Sequence, residues 1–183
     1  VTTTDRHFKP VDIRSGPEGA IYVADWYDRQ VNHYRNHEGQ IDKENGRIYR
    51  LQAKGATHSK PPNLAKLSDT ELLAKLQSPN QWERQTALRL IGDRKPAALI
   101  APLAELCRTS RGQTALEAFW ALNLAGGFGE ENAPAFLAHP ETQVRLWAAR
   151  LLGDRRELSA STAARLADLA RGEPQVEVRS QLA

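Results

Sequence analysis

Between Asp25 and Asn45 the chain gathers Asp25, Trp26, Tyr27, Asp28, His33, Tyr34, Arg35, His37, Glu38 and Asp42, groups able to bind a metal, a sugar or a protein. Segments of this length between strands often carry function. His33 and His37 stand four apart with Glu38 beside them, so a helical turn would set two imidazoles on one face as metal ligands. The spacing supplies no third well-placed ligand, and no metal centre is expected. Asp25 and Asp28 offer oxygens to calcium without the spacing of an EF-hand loop, and an aspartate at a strand end also caps a turn. Metal-dependent hydrolysis over Asp25–Asp42 is the catalytic reading these groups permit. The structural alternative makes the excursion a clamp between a sheet and the first helices, with Trp26 and Tyr27 packed in the joint. No nucleophile motif, phosphate loop or paired-carboxylate constellation is recognisable elsewhere, and no catalytic residue is assigned.

The elements that must position this segment are strands. "PVDIRSGPEGAIYVADWYD" alternates apolar and polar residues around a Gly/Pro turn, which predicts strands at 10–14 and 20–25, and "GRIYRL" predicts a third at 46–51. Three strands make part of a sheet rather than a domain. The alternation stops over 53–64, which reads as a linker.

From Leu64 onward leucine and alanine recur at i, i+3, i+4 and i+7, interrupted by breakers at short intervals. Helical pairs are expected at 69–77 with 80–92, 96–109 with 112–125, 131–138 with 141–152, and 160–171 with 175–183. Ser68 and Glu71 have capping-box spacing, Gly92 is placed as a C-terminal stop, Pro96 sits in a first turn, and Gly126, Gly127 and Gly129 end the second pair. "SPNQWERQTALRLIGDR" at 78–94 returns as "HPETQVRLWAARLLGDR" at 139–155, an internal repeat of two hairpins. Trp82, Trp120 and Trp147 fall at helical spacing and are read as core, with partner contacts as the alternative. Asp93-Arg94 and Asp154-Arg155 follow second helices and point to capping and ion pairs between repeats.

Composition narrows the function classes. The formal charge of +3 divides into +2 over residues 1–64 and +1 over 65–183, without a basic arm or stripe, so no nucleic-acid partner is expected. The single cysteine, Cys107, excludes an internal disulfide and any C-x-x-C motif, and its place on an apolar helix face predicts a buried, inert thiol. No run of about 18 apolar residues exists, so no direct membrane insertion is expected. The chain contains no Met, begins at Val1 and ends at Ala183 within an expected helix, and is read as a fragment of a longer protein.

The aligned segments "ALRLIG" (87–92), "ALNLAG" (121–126) and "AARLLG" (148–153), with Arg84, Arg145 and Arg179 and with Ala87 and Ala148, resemble the HEAT-repeat family. The resemblance implies that each arginine meets an acidic residue of a neighbouring repeat and that the alanines let helices approach. Where that family favours Asp before the proline, this chain has Ser78, His139 and Glu173. The expected fold is mainly α: a HEAT-like α-solenoid of about four hairpins over 65–183, preceded by a short β segment over 1–52 that reads as a partial β-propeller blade. "FKPVDIRSGPEGAIYVADWYD", "RNHEGQID" and "NGRIYRL" are similar to the end of a sorbosone/glucose dehydrogenase-like propeller and, more closely, to the bacterial membrane-bound dehydrogenase family. That resemblance implies an exported or periplasmic multidomain protein in which a propeller is followed by HEAT-like repeats and a c-type cytochrome domain. Haem c would belong to that separate domain, and no cofactor is expected in these residues. The repeats would be a scaffold or protein-interaction surface, their partner another protein or the adjacent domains of the same chain. The rival reading is a non-redox binding module for a protein or polysaccharide.

Overall fold

The computed structural model describes residues 3–28, 38, 44–56 and 60–183. It is mainly helical, with one small antiparallel sheet. The chain divides into two compact units, Val1–Asn63 with Asn80–Trp82, and Leu64–Pro79 with Glu83–Ala183.

The first unit holds β1 (Pro10–Ser15), β2 (Ile21–Asp25) and β3 (Arg47–Leu51) as an antiparallel meander with β2 in the middle. Ile13 pairs with Val23 and Val23 with Tyr49, so alternate residues share a face, and the register slips at a bulge between Pro10 and Asp12. The β1–β2 turn closes with Gly16 N–H donating to the carbonyl of Ala20 at 2.8 Å. Gly16 is dictated by crowding: a Cβ there would lie 2.4 Å from the Tyr22 ring.

The second unit holds α1 (Asp69–Lys75), α2 (Gln81–Arg94) from Glu83 onward, α3 (Ile100–Thr109), α4 (Gly112–Leu124), α5 (Ala133–Leu137), α6 (Thr142–Gly153), α7 (Ala160–Gly172) and α8 (Val176–Leu182). Ser68 and Glu71 cap α1 reciprocally, so two orphan N–H groups at its start are satisfied. At the end of α4, Gly126 takes φ +84° while Gly127 N–H donates to the carbonyl of Leu122, the backbone reversal that favours glycine. Gly92 has a different role from the stop assigned to it. Helix α2 runs on to Arg94, Lys95 takes the left-handed turn at φ +48°, and Gly92 lies against Leu124 of α4, where a Cβ would meet the leucine at 3.4 Å.

Helix α3 packs on α4 and α5 on α6, while α4 touches α6, α6 touches α8, and α5 touches α7. The core of this unit is Leu72, Leu76, Ile91, Leu103, Cys107, Phe119, Leu122, Val144, Leu152 and Val178, all shut off from solvent. Ala87 and Ala148 are fully buried, where only a small side chain leaves room between helices. Phe119, Phe128 and Phe136 form an aromatic cluster with centroids 4.9–5.6 Å apart. The tryptophans depart from the core reading: Trp82, Trp120 and Trp147 are all half-buried, because an indole is too large to disappear where helix surfaces meet at an edge. Trp120 and Trp147 cover one another edge to face at 5.2 Å, and the Arg150 guanidinium lies over Trp147.

Arg94 and Arg155 also depart from expectation, since each bonds within its own hairpin. Arg94 donates to the carbonyls of Ala65 and Leu67 and to Asp69, and Arg155 donates to the carbonyl of Phe128. A long side chain at the end of the second helix reaches the start of the antiparallel first helix, which is nearer than the next hairpin. Asp93 pairs along its own helix with Arg89.

Candidate functional site

Asp25 ends β2, and its Oδ1 accepts from Lys9 N–H at 2.7 Å and Tyr27 N–H at 3.0 Å. The second bond is an Asx turn, in which a short carboxylate replaces the next ladder acceptor. It holds Tyr27 at φ +53°, a left-handed conformation that costs a bulky residue about 1–2 kcal/mol. The Tyr27 ring is gripped as well, tilted against His7 with centroids 5.6 Å apart and capped by the Arg47 guanidinium 3.6 Å above its centroid. Asp25 is 4% exposed, and its Oδ2 has no hydrogen-bond partner among the described residues. Asp28 is buried, whereas Trp26 and Glu38 are exposed. His33, His37 and Asp42 lie outside the described residues. Among the described residues, no three His, Cys, Asp or Glu side chains gather as metal ligands. A second polar knot braces the sheet: Tyr22 O–H donates to Glu18 at 2.6 Å and Arg50 pairs with the same carboxylate at 2.9 Å, which holds the Glu18 carboxyl below its ordinary range.

In the helical unit a single device occurs three times. Arg84 NηH donates to the carbonyls of Ser78 and Pro79, Arg145 to those of His139 and Pro140, and Arg179 to those of Glu173 and Pro174. Each arginine thereby clamps the loop that precedes its own helix, five and six residues back. The remaining edge of the guanidinium faces outward from the hairpin. Arg84 Nε meets Glu117 of α4 at 3.2 Å, and Arg145 makes a two-pronged pair with Glu173 at 2.7 and 2.8 Å. The second pair is largely desolvated, with side chains 13% and 2% exposed. Arg145 holds the Glu173 carboxyl below its ordinary range, and Glu173 raises the guanidinium in turn. The α4 position equivalent to Arg84 and Arg145 is Ala118, so the series is interrupted there.

Sequence reasoning named the three arginines but missed both acceptors. Glu173 was visible only as the residue before a proline, and Glu117 only as a charge amid six buried neighbours along α4. His139 was missed as well. Its Nδ1 accepts from Glu141 N–H at 3.1 Å and its Nε2–H points to the carbonyl of Cys107 at 3.2 Å, so the neutral ring is fully used. Burial lowers its pKa. Burial also pushes the Cys107 thiol up to about 12, which leaves it un-ionised at neutral pH.

Residues 1–55 match a family described as a domain of unknown function (DUF7133), which spans the sheet and the Asp25 turn. No curated protein and no solved structure matches the chain. Among the described residues no helix is long and apolar enough to cross a membrane.

Proposed function

We propose that residues 65–183 act as a HEAT-like α-solenoid, a scaffold or protein-interaction surface. Residues 1–52 belong to a sheet-built neighbour of propeller-blade type, in an exported protein of the kind the membrane-bound dehydrogenase resemblance implies. The observation that carries the reading is the recurring arginine clamp, with its outward edge twice paired to a buried glutamate of a later hairpin. Such pairs order successive hairpins, and in a stacked array stability is a sum of hairpin and neighbour terms. Arg84, Glu117, His139, Arg145 and Glu173 are spent on clamping loops and pairing hairpins, which supports a positional role. Any oxidation of a sugar or alcohol belongs to other parts of the protein.

A double-mutant cycle on Arg145→Ala and Glu173→Ala, read by denaturant unfolding, tests this. Breaking a desolvated pair from one side costs about 3 kcal/mol, and the two changes together should cost far less than their sum. Additive losses would remove the coupling between hairpins and with it the stacked reading. The half-buried Trp120–Trp147 pair favours the second reading, a binding module for a protein or polysaccharide. Glycan-array binding that Trp147→Ala abolishes without loss of stability would move the assignment there.

A further inference from the structure

The ring of His139, 6% exposed, joins the ends of two hairpins. Its Nε2–H donates to the carbonyl of Cys107 in the last turn of α3, one of the carbonyls that a helix end leaves without an amide of its own. Its Nδ1 accepts from the N–H of Glu141, the N-cap of α6, which is likewise without a carbonyl inside the helix. A neutral imidazole with its proton on Nε2 suits both partners. An imidazolium does not, because both nitrogens are then donors and Nδ1–H would face the Glu141 N–H across 3.1 Å.

The surroundings give such a charge little support. Glu141 favours it, but Arg111 at the start of α4 and Arg145 of α6 oppose it, as does burial. Cys107 Sγ lies 4.0 Å from Nε2, yet burial pushes that thiol up to about 12, so it offers no anion. The loop backbone is held separately, since Arg145 donates to the carbonyls of His139 and Pro140, and the ring is therefore free to leave without the loop. Before Pro174 the same task falls to a carboxylate: Glu173 accepts from the N–H of Gln175 at 3.1 Å. That acceptor lasts to far lower pH than an imidazole.

From this we infer that His139 is an acid-sensitive joint between the α3–α4 and α5–α6 hairpins. Uptake of one proton expels the ring, frees the Cys107 carbonyl and the Glu141 amide, and loosens the contact between the end of α3 and the start of α6. Each hairpin keeps its own fold.

Amide exchange followed by NMR at about pH 7.5 and about pH 5, corrected for the intrinsic rate at each, tests the joint. The Glu141 amide should lose protection about tenfold at the lower pH, since each unit below about 6.5 favours the protonated, open form by up to about tenfold. The Gln175 amide and those of α2 should keep theirs. His139→Gln, whose side chain offers an acceptor to Glu141 and a donor to Cys107, should hold the joint shut at both pH values. The imidazole nitrogen shifts give a second readout in the unaltered protein: Nδ1 should be unprotonated at the higher pH, and the ring should titrate together with the loss of protection at Glu141. Unchanged protection at Glu141, a loss shared equally by Gln175 and α2, or the same loss in His139→Gln would each overturn the inference. So would a ring that titrates while the Glu141 amide stays protected.

Discussion

In the sheet of the first unit Ile13 and Ile48 stand 64% and 75% exposed, whereas Leu72, Leu103, Phe119 and Val144 of the helical unit are closed off from solvent. The strands therefore gain little from burial, and polar clamps hold their shape: Asp25 on Lys9 and Tyr27, Glu18 on Tyr22 and Arg50. The helices reverse the balance. Their apolar stripes meet, and ionic groups such as Arg145 and Glu173 add register to a core that already exists. A three-stranded sheet has too little area to close a core, while helical hairpins supply one another with cover.

The largest expected effect breaks this contrast at the core. Phe119→Ala should cost about 3–5 kcal/mol in denaturant unfolding, because it empties the centre of the Phe119, Phe128 and Phe136 cluster, whereas Ile48→Thr on the sheet should change stability by less than about 0.5 kcal/mol. Equal losses would show that the sheet is as deeply cored as the helices.

A pH series sharpens the comparison within the helical unit. His139 is held neutral, so its pKa is lower folded than unfolded; the unfolded chain takes up the proton first, and stability is complete above about pH 6.5 and declines as pH falls below it. Glu173 is held ionised, so its contribution is complete above about pH 4.3 and declines as pH falls further toward its folded pKa. Tm measured against pH should show two descents on acidification. His139→Gln should remove the first, and Glu173→Gln should make the second shallower without abolishing it, because Glu71, Glu83 and Glu130 are held ionised in the same way.

Asp25→Ala should cost about 1 kcal/mol locally, since two part-buried amides lose their acceptor. Faster hydrogen exchange at Lys9 and Tyr27, with the helical amides unchanged, is the expected signature. A smaller effect is expected of Gly92→Ala, which should stabilise by about 0.5 kcal/mol, as the helix-propensity gain exceeds a 3.4 Å contact that Leu124 can absorb. A loss in thermal unfolding would show that α2 and α4 need the closer approach.

Much of the secondary structure was legible because periodicity is local. Strands expected at 10–14, 20–25 and 46–51 occur at Pro10–Ser15, Ile21–Asp25 and Arg47–Leu51, and the helical period from Leu64 onward gives eight α-helices. Ends were less legible. Helix α5 is shorter than its expected 131–138, because Asn132 bonds to Gly129 and to Gly127 and holds the preceding residues in a turn. Gly92 looked like a stop, but a glycine inside a helix and one beyond it have the same letter, and only Leu124 across the interface distinguishes them.

The sequence by itself determined which segments are helical or extended, that Cys107 has no disulfide partner within these residues, and that Pro79, Pro140 and Pro174 each stand five residues before an arginine. Spacing along a chain governs hydrogen bonds within a turn, so those features needed no fold. Only the tertiary structure decided that Glu117 and Glu173 receive two of the arginines, that Trp82, Trp120 and Trp147 stay half-buried, and that Asp25 is spent on a turn. Each depends on which surfaces pack together across tens of residues, and desolvation at those contacts, rather than residue type, sets what a charged or aromatic side chain does.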